Sequence, residues 1–219
     1  MPLLYDGSDS YETKARKPHM IFITRLEEWP DGFDIISRSD DWAPWLHASL
    51  PQTLDRGVRR ILISNLKHIL VGMDLKAALI LTHINRQKEQ RPVLYEPYLQ
   101  GLVREFCNDA VSVLEGVGSA LLIATEADGG SSGRRVHRNE WLASLCAAYD
   151  RTGEHGLEAN IIRTIAVRDR IHQDRIGLRD QIDWHSFGYD EAFLPAAAAI
   201  KITFGTNAGV LPEKTYLYR

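Results

Sequence analysis

The sequence is poor in cysteine, close to neutral in net charge, and free of any long apolar run without charges. Its two cysteines, Cys107 and Cys146, lie far apart in apolar stretches and form no CxxC pair. That excludes a disulfide framework and a cysteine metal cluster, so packed thiols in a reducing compartment are expected. The formal charge is −3, so the chain as a whole exerts no electrostatic pull on nucleic acid. Any RNA or DNA contact would need a local basic patch. Residues Met1 to Pro18 are polar and mixed in charge, without the apolar centre of a secretory leader. The longest apolar-looking stretch, Ile61 to Ile84, is interrupted by Lys67, His68, Asp74 and Lys76, each costly in hydrocarbon. A cytoplasmic location is the expectation. None of the eight histidines stands in an HxxxH or HExxH pattern, so neither a metal nor a cofactor is expected.

What the chain does contain is the makings of one globular domain. At 219 residues it is long enough for a sizeable core, and 44 % hydrophobic with 25 % charged residues excludes a disordered or fibrous class. The N-terminal part has its own character. Met20-Ile21-Phe22-Ile23 and Phe33-Asp34-Ile35-Ile36 flank Trp29-Pro30-Asp31-Gly32. Proline presets φ at the first corner, and Asp and Gly tolerate the left-handed conformations after it. This pattern predicts a β-hairpin over residues 19–38. Trp42-Ala43-Pro44-Trp45 reads as a loop that pins the hairpin to a helical body. Core or lid packing for Trp29, Trp42 and Trp45 outweighs a ligand-stacking role.

From Gln52 onward the period is helical. Leu54, Val58, Ile61, Leu62, Leu66, Ile69, Met73, Ala77, Ile80 and Ile84 recur at steps of three and four, with Gly72 and Asp74 as candidate kinks. After Arg91-Pro92, a stripe from Leu99 through Phe106, Ala110, Leu114 and Val117 to Leu121 predicts a second long helix. Gly116 and Gly118 fall inside that stripe and point to close helix packing. Residues 128–133 form a glycine-rich loop that lacks the lysine and hydroxyl of a phosphate-binding P-loop. Helices are expected over 139–149, with Trp141, Leu142, Leu145 and Cys146 inward, and over 156–176. A last one is expected over 190–202, with Pro195 in its first turn. These elements describe a mainly α protein: an antiparallel helical bundle over residues 51–219, with the hairpin in an N-terminal extension over 1–50. No βαβ alternation and no solenoid repeat is present.

One stripe breaks its own pattern. Leu157, Ile161 and Ile165 mark the apolar face of the 156–176 helix, and the same steps lead on to Arg168 and His172. A face that starts apolar thus turns cationic and titratable, and such local conflicts tend to coincide with functional sites. A plainer reading stands beside it. Arg168 would pair with a carboxylate of a neighbouring helix, Asp109 or Glu115, and His172 would sit near a helix end where its charged form is favoured.

The segment Phe106-Cys107-Asn108-Asp109-Ala110, followed by Val167-Arg168-Asp169-Arg170-Ile171-His172, resembles the HEPN superfamily of helical-bundle proteins. The resemblance covers roughly residues 52–203. Arg168 and His172 are separated by three residues, one fewer than that family usually shows. The resemblance implies a homodimer whose Arg–His helices meet across an interface. It further implies either a metal-independent ribonuclease of toxin–antitoxin or anti-phage type, with an antitoxin-like protein partner, or a relative that has lost catalysis. In the ribonuclease case His172 would exchange a proton with the ribose 2′-hydroxyl or the leaving oxygen. Arg168 would hold the scissile phosphate, and Asp169 would orient either residue. Asn108 or Asp109 would assist from the facing helix. Single-stranded RNA is the implied substrate.

A second basic feature, Arg134-Arg135-Val136-His137-Arg138, follows the glycine-rich loop and would either grip backbone phosphates or form a solvated surface. Asp183-Trp184-His185 holds an Asp–His pair but no nucleophile motif. The competing function is a non-catalytic helical module that binds a protein or small ligand through the hairpin and its tryptophans.

Overall fold

A computed structural model describes residues 37–86, 96–125, 135–169 and 187–218. All but the last two residues of the expected hairpin lie outside the described residues. So do Trp29, the glycine-rich segment 128–133, Arg134, His172 and Asp183-Trp184-His185. Among the described residues the protein is a helical bundle without strands. A 3-10 turn, Ser39–Trp42, leads into α1 (Ala43–Ser49); then come α2 (Arg56–Arg86), α3 (Glu96–Ile123), α4 (Arg138–Tyr149) and α5 (Leu157–Asp169). A π-helical turn, Tyr189–Phe193, opens into α6 (Leu194–Gly205), and a short 3-10 turn, Ala208–Val210, precedes the C-terminal segment.

Helix α3 is the centre of the bundle and packs against α2, α4, α5 and α6. Val103, Phe106, Cys107, Ala110, Val111, Val113, Leu114 and Val117 are all buried, so its apolar surface wraps most of the way round. By length and composition alone α3 would suit a membrane span. Its contacts with four other helices account for the same composition, because a helix enclosed by protein is apolar on several faces. Close approach at its C-terminal half depends on Gly118. A Cβ there would meet the Trp141 carbonyl oxygen of α4 at 2.6 Å. Cys107 is buried beneath the π-helical turn, where its thiol donates to the Ala192 carbonyl at 3.4 Å. Burial pushes that thiol up to about 12, which makes it a packing residue. Cys146 on α4 is half-buried and packs against the core.

Two expectations change. Trp42 to Trp45 form helix rather than loop, with Pro44 in the first turn, where its missing N–H leaves no bond unmade. Both indoles are fully buried, and Trp45 lies 4.4 Å from the Phe204 ring of α6. A ligand-stacking role is thereby closed to them; each contributes core burial worth about 2–3 kcal/mol. Together with Leu46 and Leu50 they build residues 42–50 into the same core as the helices. Second, α2 runs unbroken through Gly72 and Asp74. On its stripe Leu66, Met73, Ala77 and Ile80 are buried and Ile69 is half-buried, but Val58 and Ile61 are exposed near its start.

Asp74 does not interrupt α2 because its carboxyl bonds to other segments. Oδ2 accepts from the Ser37 backbone N–H at 3.0 Å and from the Ser37 hydroxyl at 2.6 Å. Oδ1 accepts from the Thr215 hydroxyl at 3.0 Å and from the Tyr216 N–H at 2.6 Å. Trp42 Nε1 in turn donates to the Ser37 hydroxyl oxygen at 2.7 Å. Asp74 itself is fully buried. The segment before α1 and the one after α6 are thus tied to the middle of α2 by a polar knot in which every donor has an acceptor.

Candidate anion-binding cleft

The site begins with the turn between α4 and α5. Asp150, just past the end of α4, accepts from the Leu157 N–H at 2.9 Å and the His155 N–H at 3.1 Å. Gly153 and Gly156 take positive φ, 73° and 69°, which closes the turn tightly. Helix α5 thereby re-enters the bundle and packs mainly against α6 and α3, and Leu157, Ile161, Thr164 and Ile165 are buried on its inner stripe. Thr164 satisfies its hydroxyl on the Asn160 carbonyl at 2.8 Å. Arg168 is the next residue on that stripe, and its side chain is 28 % exposed. It is thus neither a core residue nor a freely solvated one.

The Arg168 guanidinium has two carboxylates beside it. Its Nε and Nη2 both donate to Asp169 Oδ1 at 3.3 Å, and its Nη1 lies 3.9 Å from Glu115 Oε2 of α3. Asp169 also accepts from Arg138 Nη2 at 2.9 Å, through its other oxygen. Arg138 opens α4, so Asp169 links the start of α4 to the last described turn of α5. Burial pushes the Asp169 carboxyl up, but the hydrogen bonds and charges of Arg138 and then Arg168 outweigh it, and hold the group below the usual carboxylate range. These pairs are 28–48 % exposed, and such pairs contribute at most about 1 kcal/mol each to stability. The arginines are positioned by the fold more than they sustain it.

These side chains border a cleft of about 580 Å³ whose lining is Glu115 from α3, Arg135, Val136 and His137 before α4, Arg138 and Trp141 of α4, and Arg168 of α5. Three of the charged residues that line it are arginines and one, Glu115, is a carboxylate. Asp169 and Glu140 stand behind that lining, the first bonded to Arg138 and Arg168, the second to the His137 N–H. The wall itself is thus rich in guanidinium donors, while the cluster as a whole is close to balanced in charge. A bidentate guanidinium fork suits phosphate or carboxylate oxygens.

The cleft gathers four of the sequence-derived candidates: Arg135, Arg138 and Arg168 at its wall, and Asp169 bonded behind two of them. It does not gather Asp109 or Asn108. Asp109 turns towards α2, where Lys76 is bonded to it. Burial raises its carboxyl, and Lys76 only partly offsets that. Asn108 shares the Glu115 side of α3 but stands two turns earlier, about 10 Å along the axis at 1.5 Å per residue, and is not part of the lining. Of the two carboxylates offered as structural partners for Arg168, Glu115 is therefore the neighbour and Asp109 is not. His137 and Trp141 entered the sequence reading only as a member of a basic run and a core residue. His137 occupies the N-cap of α4, with Glu140 accepting its N–H at 2.8 Å. Histidine is not among the residues that signal an N-cap, so nothing in the sequence marked it. No family model, curated protein or solved structure matches the chain.

Proposed function

We propose that this chain is a HEPN-like, metal-independent endoribonuclease of single-stranded RNA, working as a homodimer of antiparallel helical bundles. One observation carries the reading: arginines from two distant segments, Arg135 with Arg138 and Arg168, converge on one cleft. Surface charges scattered for solubility have no reason to converge, whereas a phosphodiester backbone needs several donors at once. In this reading Arg168 and Arg138 hold the scissile phosphate, Arg135 and Arg134 the flanking ones, and Asp169 keeps the two central guanidiniums in register. His172 exchanges the proton, as the family resemblance implies. The test is cleavage of a labelled single-stranded oligoribonucleotide by the full chain and by an Arg168→Ala, His172→Ala variant. A loss of about 100-fold or more is expected. Cleavage at the parent rate overturns the reading.

A second reading draws on Arg168 having Asp169 and Glu115 as its own partners. Here the pair is structural, and the protein is a non-catalytic module that binds a protein partner, in a toxin–antitoxin setting or elsewhere. It predicts no cleavage by the parent and a partner lost on trimming the N-terminus. The trim must stop before Ser37, because Ser37, Trp42 and Trp45 belong to the core.

A further inference from the structure

We infer that His137 is a catalytic residue of this cleft, the general base that takes the proton from a ribose 2′-hydroxyl; the inference rests on the ribonuclease reading above. Among the described residues of the lining it is the imidazole, set in sequence between Arg135 and Arg138 and lining the same cleft as Arg168. Arginine stays protonated and cannot accept a proton, and the Trp141 indole is only a donor. Glu115 lies beside Arg168. An arginine cleft alone would bind an anionic strand; an imidazole on the same wall adds the means to deprotonate it.

The step balances without a metal or a co-reactant. His137 accepts the 2′-hydroxyl proton while the 2′-oxygen forms its bond to phosphorus, and the guanidiniums of Arg138 and Arg168 hold the non-bridging oxygens. The bond from phosphorus to the 5′-oxygen breaks, and that oxygen takes the proton whose delivery the ribonuclease reading above assigns to His172. The imidazolium returns its own proton to solvent. The products are a 2′,3′-cyclic phosphate and a 5′-hydroxyl, so DNA and 2′-O-methyl RNA would bind without being cut. The charged groups around His137 are Glu115 from α3, Arg135 before α4, Arg138 and Glu140 on α4, and Arg168 with Asp169 from α5. Cations and carboxylates both border it, so its protonation is read from the rate profile itself.

The experiment compares the full chain with His137→Asn and His137→Ser, both good N-caps that leave the start of α4 intact. Binding is measured on a 2′-O-methyl oligonucleotide and single-turnover cleavage on the matching RNA between about pH 5 and 8, the range in which histidine titrates. Expected are binding within about twofold of the parent, cleavage slower by about 100-fold or more, loss of the rise in rate with pH, and partial rescue by added imidazole. Both variants cleaving at the parent rate, while the Arg168→Ala, His172→Ala variant does not, overturns the role of His137 and leaves the ribonuclease reading standing. No cleavage by the parent itself overturns both.

Discussion

Two glycines show how different the demands on one residue type are within this bundle. Gly118 stands where a methyl group would meet the Trp141 carbonyl oxygen at 2.6 Å, and a backbone atom cannot swing aside. Gly118→Ala therefore separates α3 from α4 and is expected to cost about 2 kcal/mol or more. Gly72 is the opposite case. A Cβ there would lie 3.8 Å from the Lys76 ammonium and 4.0 Å from an Asp109 oxygen, which is ordinary contact. Inside an unbroken helix the glycine only adds disorder to the unfolded chain, so Gly72→Ala should gain about 0.5 kcal/mol. Urea unfolding of the two variants decides the matter, and equal midpoints would contradict the packing described. The sequence pointed to close packing at Gly118 because the residue lies within an apolar stripe. It misplaced Gly72 as a kink, because a mid-helix glycine reads the same whether or not anything is pressed against it.

At the scale of elements, the α4–α5 connection depends on a carboxylate capping a backbone. The Leu157 N–H holds the Asp150 carboxyl below the usual range; burial opposes it, and the His155 N–H and imidazole add to the lowering. Asp169 at the other end of α5 is lowered as well. A group with a folded pKa below its unfolded value stabilises fully above the unfolded value, near 4, and loses that contribution as pH falls through the folded one. Asp109 has the opposite sign, since its raised pKa makes the folded state hold a proton more tightly. The stability of the parent should thus fall steeply below about pH 4. Asp150→Asn should be less stable at neutral pH yet show a flatter decline in acid. Stability measured by denaturant at a series of pH values gives both slopes, and parallel curves would refute the capping role. Asp150 could not be read as a cap from the sequence, because it precedes α5 by several residues and reaches it only through the glycine turn.

Across the whole molecule, what was legible and what was not divides by the range of the contacts. The helices α2, α3 and α4 announce themselves through residues three and four apart, and such spacing is written locally. The cleft is only half written. Arg168 stands out because it breaks a stripe and residues 134–138 because they form a basic run, whereas their convergence with Glu115 on one cleft comes from contacts between elements and has no local sign. The Asp74 knot is wholly non-local: Ser37 and Thr215 approach one carboxyl from opposite ends of the chain. Asp74 in α2 consequently looked like a helix breaker. Its true role predicts a coupling. Thr215→Val removes one donor from the carboxyl, and Asp74→Ala removes the acceptor for four, so each alone should destabilise the bundle, the second by about 3 kcal/mol or more. Once Asp74 is gone, Thr215 has no carboxyl to serve, and Thr215→Val should then cost at least about 1 kcal/mol less than in the parent. Trp42 donates to Ser37 within the same knot, so indole fluorescence and far-UV dichroism should report one shared transition in all four proteins. Additive losses in that cycle, or an indole transition that precedes loss of helix, would mean that the segments at Ser37 and Thr215 are not locked to α2 through Asp74.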